Sequence, residues 1–395
     1  MRTIGTVIRG LRAPIIKQGD NLVKIVSETV INSAKTERFE IKDKDVIGIT
    51  ESLLARAQGN YVIFEEIIDE LKEKFKSTEI GVVFPILSRN RFSMILKAIA
   101  SGFSKVHVLL SYPADEVGNA LMDPEKLDQS GINPYTDFLY EEDYRRIFGK
   151  EVKHPFTGID YVTMYKSLGV NDNISIYFSN NPRHILRFTS QVLVADIHTR
   201  SRTKKMLQNA GTETVYGLDD ICTKPGKSCG YNTDYGLLGS NMATEEKIKL
   251  FPRDGQDFVE QIQARIRETT GKQVEVMVYG DGAFKDPVGK IWELADPVVS
   301  PAYTTGLEGT PNEIKIKYLA DSLLGDLKDE SRKDQMKQVI REKKKDLIKS
   351  MESQGTTPRR FTDLLGSLCD LTSGSGDKGT PIVLVQGYFD NYAEE

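Results

Sequence analysis

The chain has 395 residues, of which 39% are hydrophobic and 28% charged, and its formal net charge is -4. This length allows two domains around a large core, and the composition is typical of a soluble globular protein. A slightly acidic balance gives no electrostatic reason to expect nucleic-acid binding, and no apolar run reaches the roughly 18 residues of a membrane-spanning helix. We therefore expect no nucleic-acid partner and no membrane partner.

The N-terminus and the cysteines indicate the compartment. The first residues lack the apolar core of a secretion signal, and the three cysteines form no recognisable zinc pattern. We expect a reducing, cytoplasmic environment.

Short strands and helices alternate through the first 65 residues. The β-branched content of 6–8 and 46–50 predicts strands, and helical spacing of apolar residues predicts a helix over 21–34. A second short helix is predicted from Glu51, and Gly59 ends it.

The sequence pattern of residues 79–112 predicts a βαβ unit. An apolar, branched run at 80–87 is followed by apolar residues at helical spacing from Phe92 and by a strand at 106–110. Such a short crossover favours parallel strands in a sheet that is covered on both faces. Further strands are predicted at 174–178 and 192–195.

The C-terminal half predicts a loop, a helix and a strand that together suggest phosphate chemistry. A Gly- and Asn-rich loop at 230–241 precedes an amphipathic helix over 255–270 and a strand over 274–279. Asp281 follows this strand between two glycines. A carboxylate at a strand end suits a hard metal ion, although Gly and Asp also dominate ordinary tight turns.

Two other acidic residues are candidates for a site. Asp321 lies in an otherwise apolar helical segment, where a carboxylate is costly to bury unless it is paired or bound to a metal. A local cap or salt bridge is the alternative. Asp196 ends a strand and is followed by His198 and Arg200, which suggests a substrate site; the alternative for His198 is a structural hydrogen bond.

Anion-binding candidates lie near two predicted element ends. Gly10 and Leu11 precede Arg12, and Arg89 and Arg91 lie where a helix begins. The chain has neither a Gly-x-x-x-x-Gly-Lys-Ser/Thr loop nor a Gly-x-Gly-x-x-Gly fingerprint. A bound nucleotide would therefore lie outside the common frameworks. A charged, amphipathic helix is predicted over 326–352, with its charges solvated.

Several of these segments together resemble the gamma-glutamyl ligase family that adds glutamate to the coenzyme F-420 precursor. The resemblance covers roughly 1–65 and 190–395. It rests on the segments 10–11, 19–22, 43–59, 232–241, 251–254, 320–321 and 379–387, and on the acidic residue after the central strand. We divide the chain into a ligase-like core (1–78 and 190–395) and an inserted α/β subdomain (79–189).

The resemblance implies a mixed α/β (α+β) fold, a homodimer, and a GTP-dependent reaction with Mn or Mg. The nucleotide phosphorylates a small carboxylate, and the amine of an amino acid such as L-glutamate attacks the acyl phosphate. Asp281 and Asp321 fall on the family's metal-binding positions. Asn232 and Asn241 bound the loop that would contact the nucleotide.

Two alternatives stay open. Glu51 stands where the family usually has Lys, and Ser322 stands where it has a second acidic ligand. The chain could therefore be a non-catalytic nucleotide- or metabolite-binding relative on the same dimeric scaffold. It could also be a different metal-dependent enzyme, with a pocket built from Arg89, Arg91 and the cluster around Asp196.

Overall fold

The computed structural model describes residues 3–228, 230–280, 283–285, 292–294, 300–322, 329–347, 350–353, 359–374 and 376–393. The strands are β1 (Val7–Leu11), β2 (Val46–Thr50), β3 (Tyr61–Ile63), β4 (Glu79–Val83), β5 (Lys105–Leu110), β6 (Leu139–Tyr140), β7 (Ile174–Phe178), β8 (Gln191–Val194), β9 (Thr214–Gly217), β10 (Asn241–Thr244), β11 (Lys247–Lys249), β12 (Glu275–Tyr279), β13 (Ala283–Lys285), β14 (Trp292–Leu294), β15 (Ala302–Tyr303) and β16 (Ile382–Gln386).

The α-helices are α1 (Leu22–Thr36), α2 (Glu51–Gln58), α3 (Phe64–Lys74), α4 (Phe92–Gly102), α5 (Pro124–Ser130), α6 (Glu141–Phe148), α7 (Tyr161–Ser167), α8 (Arg200–Asn209), α9 (Gly255–Thr270), α10 (Ile316–Ser322), α11 (Asp329–Arg341) and α12 (Phe361–Thr372). Short 3-10 helices lie at Pro182–Arg187, Leu218–Asp220, Thr305–Leu307 and Met351–Ser353. Among the helices that the structure describes, none combines the length and apolar character needed to cross a membrane.

The central sheet has the strand order β1-β16-β2-β12-β15, and only its neighbours β2 and β12 are parallel. Alternate side chains of a strand face opposite sides of a sheet. Ile47 and Ile49 accordingly pack with α1 and α9, whereas Val46 packs with Leu365 and Cys369 of α12. The predicted helices at 21–34 and 255–270 are confirmed, and their apolar stripes cover one face of this sheet.

The second sheet has the order β6-β7-β5-β4-β8-β9, with only β6 antiparallel. It confirms the predicted βαβ unit, which consists of β4, α4 and β5. The strand order reverses at β4, so this is a doubly wound sheet, and helices such as α4 and α8 cover it. The mixed α/β fold class is thereby confirmed.

The second sheet extends past the predicted subdomain limit at residue 189. Its strands β8 and β9 follow that residue, and its main core cluster includes Val62 and Leu250. Chain on both sides of 79–189 therefore packs with this sheet. The division of the chain into domains stays a prediction.

A third, small sheet has the strand order β10-β11-β3. The backbone N–H of Met242 in β10 donates to the carbonyl of Asn90 in the loop after β4, at 2.9 Å. Strands β13 and β14 pair separately. The hydrogen bond from Met242 joins the small sheet to the loop at the carboxyl edge of the second sheet.

The prediction of one helix over 326–352 is wrong in its extent. Helix α11 ends at Arg341, and the chain beyond it forms hydrogen bonds with the Asn312 side chain. That amide donates to the carbonyls of Lys344 and Lys345, both at 3.0 Å, and accepts from the N–H of Leu347. These bonds replace helical ones, and periodicity alone does not reveal them.

Candidate functional site

A cleft of about 500 Å³ opens at the edge of the central sheet where β2 and β12 end. These strands are parallel, with Thr50 opposite Tyr279, so their carboxyl ends lie side by side. The described lining residues are Ala13, Pro14, Ile15, Ile16, Thr50, Glu51, Ser52, Leu53, Arg56, Asn241, Tyr279, Gly280, Asp370, Ser373, Gly374, Gly379 and Pro381.

Helix α2 begins at the floor of this cleft, directly after β2. The Thr50 hydroxyl accepts a hydrogen bond from the N–H of Leu53 at 3.3 Å and caps the helix. Glu51 and Ser52, both half-buried, form its first turn. The amino end of a helix carries partial positive charge, so the cleft has a natural anion-binding end.

The opposite wall is formed by the end of β12 and by α12. Tyr279 is buried, and burial, with a further contribution from Cys369, raises the pKa of its phenol far above the ordinary value. Burial likewise raises the pKa of the Cys369 thiol. Tyr279 therefore stays a neutral hydrogen-bonding group, and Cys369 is not a thiolate nucleophile.

Helix α12 packs directly over Gly48 of β2, where the absence of a side chain leaves room for it. A Cβ on Gly48 would lie 2.5 Å from the Cys369 sulfur and 3.2 Å from the Tyr279 ring. Helix α12 can therefore approach β2 closely. This approach brings Asp370 and Ser373 to the cleft.

The charges of the cleft are mixed. Its described lining contains the carboxylates Glu51 and Asp370 and the guanidinium of Arg56, whose side chain is exposed. Hydroxyl and amide oxygens of Thr50, Ser52 and Asn241 accompany them. An oxygen-only donor set fits a hard divalent ion, although no group of three or more His, Cys, Asp or Glu suited to a metal occurs in the described residues.

Of the two predicted metal ligands, the structure describes only Asp321. Asp281 lies outside the described residues, one position after Gly280, which lines the cleft. Asp321 is exposed on α10, whose Leu319 packs against Met336 of α11, and it is not among the described lining residues. The metal-binding roles of both residues stay predictions.

The predicted N-terminal contacts lie behind the cleft. Gly10 pairs with Val383 and Leu11 with Ile382, at the edge between β1 and β16. Leu11 is buried in the core, and a Cβ on Gly10 would lie 3.1 Å from the Thr380 side chain. In the described structure these residues position the segment 13–16, which lines the cleft.

The two asparagines of the Gly-rich loop have separate environments. Asn232 is buried, where its amide donates to the carbonyls of Phe251 and Pro252 and accepts from the N–H groups of Asp234 and Tyr235. These bonds tie the loop to the chain at Phe251 and Pro252, so Asn232 has a structural role. Asn241, by contrast, is half-buried and lines the cleft.

The remaining predicted residues lie at the carboxyl edge of the second sheet. Arg89 and Arg91 follow β4, whereas Asp196, His198 and Arg200 follow β8. Topology thus brings the five to one edge, as the predicted substrate site requires. None of them is among the described residues that line the cleft.

The side chains at this second edge largely contact one another. One oxygen of the buried Asp196 accepts hydrogen bonds from Thr199 at 2.6 Å and Thr203 at 2.7 Å, and burial raises the pKa of this carboxyl. Arg200 forms an ion pair with Asp219 at 2.8 Å. His198 and Arg89 are exposed.

Glu116, which the sequence reasoning did not single out, completes this network. Its carboxylate accepts hydrogen bonds from the backbone N–H groups of Ile197, His198 and Thr199, at the amino end of α8. A side chain of the protein itself therefore occupies the anion-binding end of that helix.

A larger cavity of about 680 Å³ lies between α3 and the loop that contains Cys222. Two of its acidic lining residues are held by neighbouring groups: Glu66 accepts from the N–H and hydroxyl of Ser228, and Glu70 accepts from the N–H of Cys222 and pairs with Lys74. The cleft, where strand ends and a helix amino end converge, is the stronger candidate.

Sequence reasoning did not place Tyr279 and Asp370 in the site. The sequence pattern around Tyr279 is typical of the interior of a strand. Asp370 lies at an ordinary polar position of an amphipathic helix. The only local signal was the glycine at 48 within a branched strand, which is typical of a close approach.

A family model described as F420-0:Gamma-glutamyl ligase matches residues 10–387. The matched range includes the segment 79–189. A search of curated proteins finds no match. Because the family model covers nearly the whole chain, it confirms the resemblance predicted from the sequence: the chain belongs to the F420-0:gamma-glutamyl ligase family.

Proposed function

We propose that the protein is a metal- and GTP-dependent amide ligase whose active site is the cleft at the ends of β2 and β12. It joins an amino acid such as L-glutamate to a small carboxylate. A carboxylate oxygen of the acceptor attacks the γ-phosphorus and GDP leaves. The amine nitrogen then attacks the acyl carbon, phosphate leaves, and the nitrogen loses a proton.

One observation carries the proposal. The cleft combines the amino end of α2 with strand ends from distant parts of the chain, in a member of a ligase family. Parallel strand ends and helix amino ends are common sites for phosphate groups. The reaction needs mainly positioning and electrostatic stabilisation, which a cleft of polar side chains and backbone dipoles supplies.

The described residues suggest a division of roles. The first-turn N–H groups of α2 suit phosphate oxygens. The carboxylates of Glu51 and Asp370 suit the ammonium group of the amino acid, and either could accept the proton that the nitrogen loses. The neutral phenol of Tyr279 suits a hydrogen bond to the acceptor.

Mn or Mg would neutralise charge that develops during phosphoryl transfer. Asp281 and Asp321 would be the protein ligands of this ion, as the resemblance implies. We also propose that the protein acts as a homodimer in the cytoplasm.

The test measures GDP release by the purified protein with Mn or Mg, with candidate carboxylates and with L-glutamate. We expect release to require both substrates and an amide product to appear by mass spectrometry. Asp281→Asn should abolish metal-dependent turnover while the melting temperature stays the same. Full activity in that variant would contradict the metal assignment.

Nucleotide binding without acceptor-dependent turnover would instead support a non-catalytic relative. The presence of Glu51 at the amino end of α2 is the feature that favours this alternative. Its carboxylate disfavours a phosphate unless a cation lies between them.

A further inference from the structure

Arg56 supplies the positive charge of the cleft. Among the described lining residues its side chain is the only basic one, whereas Glu51 and Asp370 are acidic. The side chain is exposed, and within the part of the chain that the structure describes its guanidinium forms no ion pair and no hydrogen bond. A guanidinium has five N–H donors in a fixed plane, so these donors are available to a ligand.

The position of Arg56 on α2 directs it to the cleft. Ser52 and Leu53 precede it by four and three positions and also line the cleft, so the three residues share one face of the helix. Side chains of a helix lean toward its amino end, which brings the Arg56 side chain toward the turn that contains Ser52. Arg56 is exposed whereas Ser52 is half-buried. The guanidinium and the first-turn N–H groups therefore lie at different depths of the same face.

The neighbours of Arg56 suit a carboxylate on an aliphatic chain. Leu53 is half-buried one turn before it, and Ile15, which also lines the cleft, is 82% exposed. Apolar side chains at this place cover methylene groups favourably but donate no hydrogen bond to phosphate oxygens. A planar guanidinium binds a planar carboxylate through two parallel hydrogen bonds.

The mixed charges of the cleft match an amino acid. Its ammonium group complements the carboxylates of Glu51 and Asp370, and its carboxylate complements Arg56. A nucleoside triphosphate, in contrast, brings only negative charge to these two acidic side chains, which disfavour it unless a cation lies between them. Within the cleft, the guanidinium therefore fits the amino acid better than the nucleotide.

We propose that Arg56 is a substrate-binding residue that holds a carboxylate group of the incoming amino acid through a bidentate pair. The inference rests on the proposed function, because it assumes that the amino acid enters this cleft. It differs from two other roles for the same side chain, a contact with a nucleotide phosphate and a solvated surface position.

The test is calorimetric titration of the wild type, Arg56→Met and Arg56→Lys. Each protein is titrated with GTP in the presence of Mn, and with L-glutamate in the presence of Mn and GDP. Methionine keeps the apolar stem and removes the charge, whereas lysine keeps the charge and removes the planar pair of donors. Arg202→Met is the matched control, because it removes an exposed guanidinium from α8, outside the cleft.

We expect Arg56→Met to weaken L-glutamate binding roughly 10- to 100-fold, as for lost hydrogen bonds between charged groups. GTP affinity should change less than about threefold. Arg56→Lys should recover part of the loss, and Arg202→Met should bind both ligands like the wild type.

Two amide analogues identify the carboxylate that Arg56 holds. L-glutamine lacks the side-chain carboxylate, and isoglutamine lacks the α-carboxylate. For the analogue that lacks the bound group, wild type and Arg56→Met should have the same affinity within about twofold, because the pair is already absent. If Arg56→Met weakens both analogues as much as L-glutamate, Arg56 does not hold a carboxylate and the inference is wrong.

The remaining failures are distinguishable. If the wild type binds no GTP and releases no GDP with acceptor and L-glutamate, the proposed function and this inference are both wrong. If the wild type is active but Arg56→Met binds L-glutamate equally well, or if the wild type binds GTP and no L-glutamate, only the inference is overturned. A larger loss for GTP than for L-glutamate would assign Arg56 to the nucleotide and would also overturn it.

Discussion

The carboxyl edges of the two large sheets carry similar residue types in opposite arrangements. At the central sheet, Glu51, Asp370 and Asn241 face a cleft. At the second sheet, Asp196 and Glu116 accept hydrogen bonds from neighbouring hydroxyl and backbone N–H groups of the same edge. Polar residues at a strand end thus indicate a site only where the fold leaves them facing open space.

The charge at each helix amino end sharpens this difference. The amino end of α8 is already occupied by the Glu116 carboxylate, whereas the amino end of α2 opens into the cleft. Both helices offer the same partial positive charge. A carboxylate of the protein itself lies at the amino end of α8, whereas the neutral hydroxyl of Thr50 caps α2 and the first turn of α2 lines the cleft.

The comparison predicts the largest effect on stability for Asp196→Ala. This change removes a buried acceptor and leaves the hydroxyls of Thr199 and Thr203 without it, at a cost of about 3 kcal/mol in the free energy of unfolding. Asp370→Ala, at the open edge, should cost less than about 1 kcal/mol. Chemical denaturation of both variants measures the difference. Equal losses of unfolding free energy in the two variants would contradict the difference between the two sheet edges.

The second prediction concerns activity, for which we expect the larger effect at the edge of the central sheet. Glu51→Gln removes one charge from the cleft, and we expect kcat/KM of the ligase reaction to fall roughly 10- to 100-fold. The control is Glu65→Gln, which alters an exposed acid in the first turn of α3. Asp196→Ala should leave kcat/KM within about threefold wherever the variant is folded. A large loss of kcat/KM in folded Asp196→Ala would place the second edge in the active site.

The smallest effect is a pH dependence at the second edge. Burial raises the pKa of Asp115 to about 6, against hydrogen bonds that lower it, among them one from the N–H of Leu87. A carboxyl whose pKa is higher in the folded state binds more protons there, so its contribution to stability falls as pH rises through that value.

Between pH 5 and 7 the free energy of unfolding of the wild type should therefore fall by about 1 kcal/mol relative to that of Asp115→Asn. Denaturation at several pH values measures this. Asp128→Asn, which alters an exposed carboxyl group, is the control. A constant difference between wild type and Asp115→Asn across this range would contradict the assignment.

The local elements could be predicted because their signals are contained in short windows. Helical spacing located α1, α4 and α9, and branched apolar runs located β2, β4 and β12. These patterns record which face of an element is buried. Helix α11 was overextended because the hydrogen bonds of Asn312 beyond Arg341 are not periodic.

The sequence by itself determined the family, the mixed α/β class and the presence of polar residues at strand ends. Only the tertiary structure decided which of them share a site. The pairing of β2 with β12 brings Thr50 beside Tyr279, and the hairpin of β10 and β11 brings Lys249 to Ser52. Such contacts depend on packing between elements far apart in the chain, and periodicity within one element contains no information about its neighbour.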